Sequence, residues 1–216
     1  MKNTKVYLMS TENVKDPRTF ALWKEFLPKE HWEKTVRPLK EEDRKTELAA
    51  WFLLYQALRE WGISEEKINA DGAYYYGEHG KPMRRNEEIC FNLSHSGKYV
   101  LCAVSEMEIG CDIEKIKEVK WKLAKRFFSE KEYDFLVRLG RQEKLMKQGE
   151  TVKSGKTDKQ EKVGKQQNIN RQKEKGKIKE NAYTVEEAFT RFWVLRESYV
   201  KKTCLLYTSP SPRDYA

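Results

Sequence analysis

The chain has 216 residues and a formal charge of +9, enough length to bury a core as one compact unit or as two smaller halves. A basic excess of that size would suit a polyanionic partner if it coated a folded face, but residues 141–181 alone hold 13 Lys or Arg against 6 Asp or Glu, and the remainder is nearly neutral. Cys90, Cys102, Cys111 and Cys204 show neither CxxC spacing nor paired histidines, which argues against zinc, and no window suits a signal peptide or a membrane span.

In chain order, "KVYLM" (5–9) alternates as a strand does, and "RTFALWKEFL" (18–27) has helical apolar spacing up to Pro28. Residues 39–61 form the clearest helix, with Leu48, Trp51, Phe52, Tyr55 and Leu58 on one face and Gly62 placed to end it in a left-handed C-cap. "KYVLCAV" (98–104) is apolar on both faces, as in a strand covered on both sides. "MEIGCDI" (107–113) reads as its hairpin partner across Ser105 and Glu106. Two capping boxes, Ser129 with Glu132 and Thr184 with Glu187, open two later helices.

Between those helices, residues 141–181 contain no aromatic residue and too few apolar ones to offset the entropy of ordering, so a disordered insertion is expected. Its loose Lys/Gly recurrence has no apolar pattern to stack as a repeat. The end, "CLLYTSPSPRDYA", sets two prolines in a Ser-rich run that continues neither helix nor sheet, and reads as a tail outside the fold. Cysteines in apolar, strand-like runs suit buried thiols in a reducing compartment, and a cytoplasmic location is the expectation.

Three short stretches could carry chemistry. In "IGCDIE" (109–114), a strand's period of two puts Asp112 and Glu114 on one face, close enough to share a hard cation, with Gly110 leaving room for a bulky ligand. The same pattern also fits a solvated strand end. "FNLSHSG" (91–97) gathers Asn92, Ser94, His95 and Ser96, which could hold phosphate oxygens or simply make a polar turn. In "FWVLRESYVKK" (192–202), Trp193, Glu197 and Lys201 share a helical stripe; Glu197 and Lys201 could be a surface ion pair, or Glu197 a third carboxylate for a magnesium ion on Asp112 and Glu114.

In this order, "FNLSHSG", "IGCDIE" and "FWVLRESYVKK", with "GKP" (80–82) and "AKRFFSEKEYDFL" (124–136), closely resemble the motifs of 4′-phosphopantetheinyl transferases of the longer, surfactin-synthetase-activating type. The resemblance implies an enzyme that moves the phosphopantetheine arm of coenzyme A onto a serine of an apo acyl or peptidyl carrier protein, releasing adenosine 3′,5′-bisphosphate. It implies Mg²⁺ held by Asp112, Glu114 and Glu197, with Glu197 or a water it orients as base and Lys201 at the leaving phosphate. It also implies coenzyme A contacts from Ser94 and His95 (phosphates), Lys81 and Pro82 (nucleotide) and Lys45 and Thr46 (3′-phosphate). Arg196 stands where the family usually has lysine, keeping the charge with a different shape.

The fold it implies is α+β, two similar halves related by a pseudo-twofold, each a small antiparallel sheet packed with a long helix, holding coenzyme A and magnesium between them. The expected division is 1–105 for the first half and 106–204 for the second, interrupted at 141–181, then a non-family tail at 205–216; the strands expected after the last helix are missing, so the second half is incomplete. A monomer without nucleic-acid or membrane partners is expected. Two rivals stay open: a relative that binds coenzyme A without catalysis, and a nucleic-acid-binding protein using the Lys-rich segment, which has no aromatics for base stacking.

Overall fold

A computed structural model describes residues 3–18, 24, 27–77, 81–85, 89–154 and 183–203. It is a mixed α+β chain that divides into two compact units, one of Met1–Lys115 with Trp193–Ala216 and one of Ile116–Phe192.

The first unit is built on strands β1 (Thr4–Ser10), β4 (Cys90–Ser96) and β5 (Tyr99–Ser105), an antiparallel sheet in the order β1-β5-β4. Strand β5 is central, which explains why its sequence is apolar on both faces. Register places Tyr7, Leu93 and Cys102 in one row and Leu8, Ser94 and Leu101 in the next, facing opposite sides. Helix α2 (Glu41–Glu60) covers the first of these faces. Its Leu48, Trp51, Leu54, Tyr55 and Leu58 join Phe91, Val100, Cys102 and Val104 in one buried cluster. The predicted C-cap forms: Gly62 has φ 81°, its N–H donates to the Arg59 carbonyl at 2.9 Å, and that of Ile63 to the Leu58 carbonyl at 3.0 Å, the paired bonds of a Schellman motif.

Helix α1 (Lys29–Val36) follows Pro28, whose carbonyl accepts from His31 and Trp32. It buries His31 and Thr35, one turn apart. The sequence reading places a helix before Pro28, on residues mostly outside those described, and misses this one after it. A short helix α3 (Glu65–Asn69) and the two-stranded pair β2 (Tyr74–Tyr76) and β3 (Pro82–Arg84) complete the unit's secondary structure.

The hairpin differs from expectation. The partner of β5 is β4, the "FNLSHS" stretch itself, joined through Gly97 at φ 55°, while residues 107–113 form no strand. The reason lies in how residues 111–115 meet β4: its side chains, rather than its main chain, take up their amides.

In the second unit, α4 (Trp121–Phe127) and α5 (Glu130–Ser154) lead to α6 (Val185–Thr203), whose first turns belong to this unit. Both capping boxes form: the Ser129 and Thr184 N–H groups each donate to their glutamate at 2.7 Å, and the Glu132 and Glu187 N–H groups return to the cap hydroxyls at 3.4 and 3.2 Å. Phe128 packs on Phe189 and Phe192 at ring separations of 5.5 and 5.7 Å, with Leu136, Leu139 and Ala188 buried. Helix α5 runs to Ser154, so the first part of the expected disordered insertion is helical. A helix already nucleated at its cap propagates through strong helix formers such as Glu143, Lys144, Leu145 and Met146 at little cost. The rest of that segment to residue 181, and the tail from Cys204, lie outside the described residues. Among the described residues, no helix is long and apolar enough to cross a membrane.

Candidate active site

On β4, Asn92, Ser94 and Ser96 project from one face. Each meets one amide of the neighbouring segment: Asn92 Oδ1 accepts from Cys111 at 2.8 Å, Ser94 Oγ from Ile113 at 3.3 Å and Ser96 Oγ from Lys115 at 3.1 Å. The Cys111 thiol donates back to the Asn92 carbonyl at 3.1 Å. Three polar side chains therefore do what a partner strand's carbonyls would do, and "IGCDIE" lies beside the sheet without being a strand of it.

The two serines also reach the acids. Ser94 donates its hydroxyl proton to Asp112 Oδ1 at 2.8 Å, and Ser96 to Glu114 Oε2 at 3.3 Å. Lys201 of α6 donates to the same Asp112 oxygen at 2.5 Å and to Ser94 Oγ at 2.9 Å. A hydroxyl has one proton and two lone pairs; Ser94 spends the proton on Asp112 and the lone pairs on Ile113 and Lys201. The Asp112 side chain is fully buried and that of Lys201 is 13% exposed. Asp112 Oδ2 is buried with no hydrogen-bond partner.

Gly110 brings α6 into position. A Cβ built there would run into the Ser198 carbonyl oxygen and the Lys202 amide nitrogen. The close approach that this glycine permits is thus to the helix backbone carrying Glu197 and Lys201, not to a ligand as the sequence suggests. Glu197 itself is buried, 5% exposed. Lys81, from "GKP", donates to the Ile109 carbonyl at 3.1 Å, tying that loop to the same segment. Pro82 opens β3 opposite Tyr76. Burial holds the Cys111 thiol up at about 11 and pushes that of Cys102 higher.

Other expected residues sit apart from this knot. His95 is exposed on the β4 face opposite Ser94, because adjacent strand residues face opposite ways. Lys45 is held within α2 by Glu41 at 2.5 Å and Glu42 at 3.8 Å, an arrangement that raises its pKa chiefly through the Glu41 hydrogen bond. Thr46 follows it, half-buried. Among the described residues, no three His, Cys, Asp or Glu side chains are gathered as a metal centre requires. Asp112 itself is buried and paired with the Lys201 ammonium at 2.5 Å.

The sequence reading takes Asn92, Ser94 and Ser96 as phosphate donors or as part of a polar turn, and misses their role as acceptors for residues 111–115. Their spacing of two, facing a second polar stretch, is the signal. It also misses Arg44, which is buried against Asp16, donating to Asp16 Oδ1 at 2.8 Å and to the Pro38 and Leu39 carbonyls at 3.0 and 2.7 Å. That guanidinium holds the Asp16 carboxyl down at about 2.

No family model matches the chain. It is similar to the 4′-phosphopantetheinyl transferase Sfp of Bacillus subtilis strain 168, 44% identical over 68 residues, which are 31% of this chain and 30% of that protein. It is similar to the 4′-phosphopantetheinyl transferase gsp of Aneurinibacillus migulanus, 48% identical over 59 residues, 27% of this chain and 24% of the relative. A third such transferase from Bacillus subtilis is 36% identical over 98 residues, 45% and 42% of the two chains. The chain thus spans between 24% and 42% of the length of these relatives.

Proposed function

We propose that this chain, which belongs with the 4′-phosphopantetheinyl transferases of the Sfp type, transfers the phosphopantetheine arm of coenzyme A to a carrier-protein serine. The observation that carries the reading is the meeting of three distant motifs at one point: Ser94, Asp112 and Lys201 share hydrogen bonds of 2.5 to 2.9 Å.

The donor set fits Mg²⁺. All candidate ligands are carboxylate oxygens, and Asp112 keeps one buried oxygen without a partner. Asp112, Glu114 and Glu197 would hold the ion, which when bound supplies compensation for charge on the two linked phosphates. The carrier serine Oγ attacks the phosphorus bearing the pantetheine arm, the anhydride P–O bond breaks, and its electron pair leaves on adenosine 3′,5′-bisphosphate. Glu197 accepts the serine proton, directly or through one water. Lys201, whose ammonium meets the Asp112 and Ser94 oxygens, would neutralise the leaving phosphate. By the family resemblance, Ser94 and His95 would act at the coenzyme A phosphates, Lys81 and Pro82 at the nucleotide, and Lys45 and Thr46 at the 3′-phosphate; for Lys45 this requires release from Glu41, and for Ser94 release from Asp112 and access on the face opposite His95.

The pseudo-twofold repeat of sheet and helix belongs to the same proposal, supported so far by the first unit, where one long helix covers a small antiparallel sheet. So do a monomeric state and a cytoplasmic location. The test is intact-mass spectrometry of an apo carrier protein incubated with the folded chain, Mg²⁺ and coenzyme A. A phosphopantetheine mass gain that Asp112→Ala abolishes is expected. Folded protein that binds coenzyme A in calorimetry but gives no mass gain would make the chain a non-catalytic relative.

A further inference from the structure

We infer that Asn92 is a positioning residue for Asp112: it fixes the register of residues 111–115 against β4, and with it the placement of the acids. The inference rests on the metal reading above for its functional consequence, but its structural part stands alone. Asn92 is 5% exposed and makes the shortest of the three side-chain contacts to the segment's amides, at 2.8 Å against 3.3 and 3.1 Å for the serines. It holds Cys111 twice, through Oδ1 to the amide and through its main-chain carbonyl to the thiol.

Asp112 follows immediately, and its carboxylate must meet Ser94 and Lys201 at once. A slip of one residue would turn it to the other side. Main-chain pairing, the usual device against such a slip, is replaced here by three side chains. The two serines are already shared with acids or with Lys201; the Asn92 amide oxygen is given to register alone in the bonds described.

Amide hydrogen exchange by NMR and calorimetric Mg²⁺ titration, without coenzyme A, test this on the full chain. In the wild type, the Cys111, Ile113 and Lys115 amides should be protected; exchange at the rate of an unstructured loop would overturn the register argument without any variant. Asn92→Ala should speed Cys111 exchange about tenfold or more, the equivalent of losing one buried hydrogen bond, and raise the half-saturating Mg²⁺ concentration about tenfold. Asn92→Ser, which continues the serine pattern of positions 94 and 96, should recover most of both.

Thr4→Val, which removes the 2.9 Å Thr4–Ser105 hydroxyl bond elsewhere on the same sheet face, should alter neither. If the serine variant is as impaired as the alanine variant, or if Thr4→Val moves both readouts equally, Asn92 acts only through general stability and the inference fails. A wild type that takes up no Mg²⁺ would instead sink the metal reading, leaving the exchange data to decide the register claim.

Discussion

Gly110→Ala is the most direct probe of how the site is built. The added Cβ would overlap the Ser198 carbonyl oxygen and Lys202 amide nitrogen and lie 3.0 Å from Lys202 Cα, all of them helix backbone. No side chain can rotate away, so residues 109–111 and α6 must separate by about 1 Å to reach ordinary contact distances. A Lys201–Asp112 bond of 2.5 Å would then pass beyond ~3.2 Å and weaken sharply. Overpacking costs about 1–3 kcal/mol and loss of a buried pair's partner about 3–5 kcal/mol. Because one displacement causes both, the sum overstates the effect, and about 3 kcal/mol is expected, or roughly 6–12 °C in Tm for a chain of this size. Misplacing the reacting groups by about 1 Å lowers transfer about 100-fold. Calorimetric melting and the carrier mass assay read the two effects. Gly62→Ala is the control: at φ 81° with nothing within 4 Å, it costs about 1–2 kcal/mol of backbone strain and leaves transfer unchanged. If Gly110→Ala melts and transfers like the wild type, the helix does not dock on "IGCDIE" as described.

Lys201→Met leaves a fully buried carboxylate without its ammonium, so a loss of about 3–5 kcal/mol is expected in chelator; added Mg²⁺ should raise the melting temperature more in the variant than in the wild type. His31, 2% exposed and stacked on Trp51 at 3.5 Å, is held down at about 4 by burial. With its folded pKa below its ordinary value of about 6.5, the unfolded chain binds the proton first, so stability is full above pH ~6.5 and falls as pH drops toward 4, by at most about 3 kcal/mol. Urea unfolding at pH 7 and 4.5 should show a smaller difference in His31→Phe. Asp16 has the same sign for a different cause: the Arg44 hydrogen bond depresses it to about 2, so its contribution is present above pH ~4 and lost as pH falls toward 2. Acid titration of stability in Arg44→Met should lack that step.

Helix α2 was legible because burial of one face imposes a period on it, strand β5 because cover on both sides leaves it apolar throughout, and Gly62 because a left-handed residue closes that helix. The capping boxes were legible because both partners lie within four residues. What failed depends on distant parts of the chain. "MEIGCDI" has strand-like alternation, yet it forms no strand, and the amides of its Cys111 and Ile113 are met by the Asn92 and Ser94 side chains. The freedom that Gly110 provides was visible, but only the fold shows that α6 occupies it. Likewise Arg44 sits among exposed charges in sequence, and its burial requires Asp16, 28 residues earlier.

The acids of the candidate site raise a question that packing alone does not answer. A buried carboxylate is costly unless its lone pairs are met. On Asp112, one oxygen takes both Ser94 and Lys201, while the other, equally enclosed, takes nothing. A side chain serving only to anchor Lys201 would gain by sharing its donors between both oxygens. Holding one oxygen saturated and the other in reserve fixes the carboxylate's rotation and points its open lone pairs in a set direction. Under the function proposed above, the oxygen without a hydrogen bond would be the one to hold the cation, while Lys201 neutralises the other. Asp112→Asn separates the alternatives by its response to Mg²⁺: if the carboxylate is only an anchor, the variant loses stability because the Lys201 ammonium is left without its partner, and Mg²⁺ has no effect on either form. If it is a ligand, Mg²⁺ stabilises the wild type and not the variant.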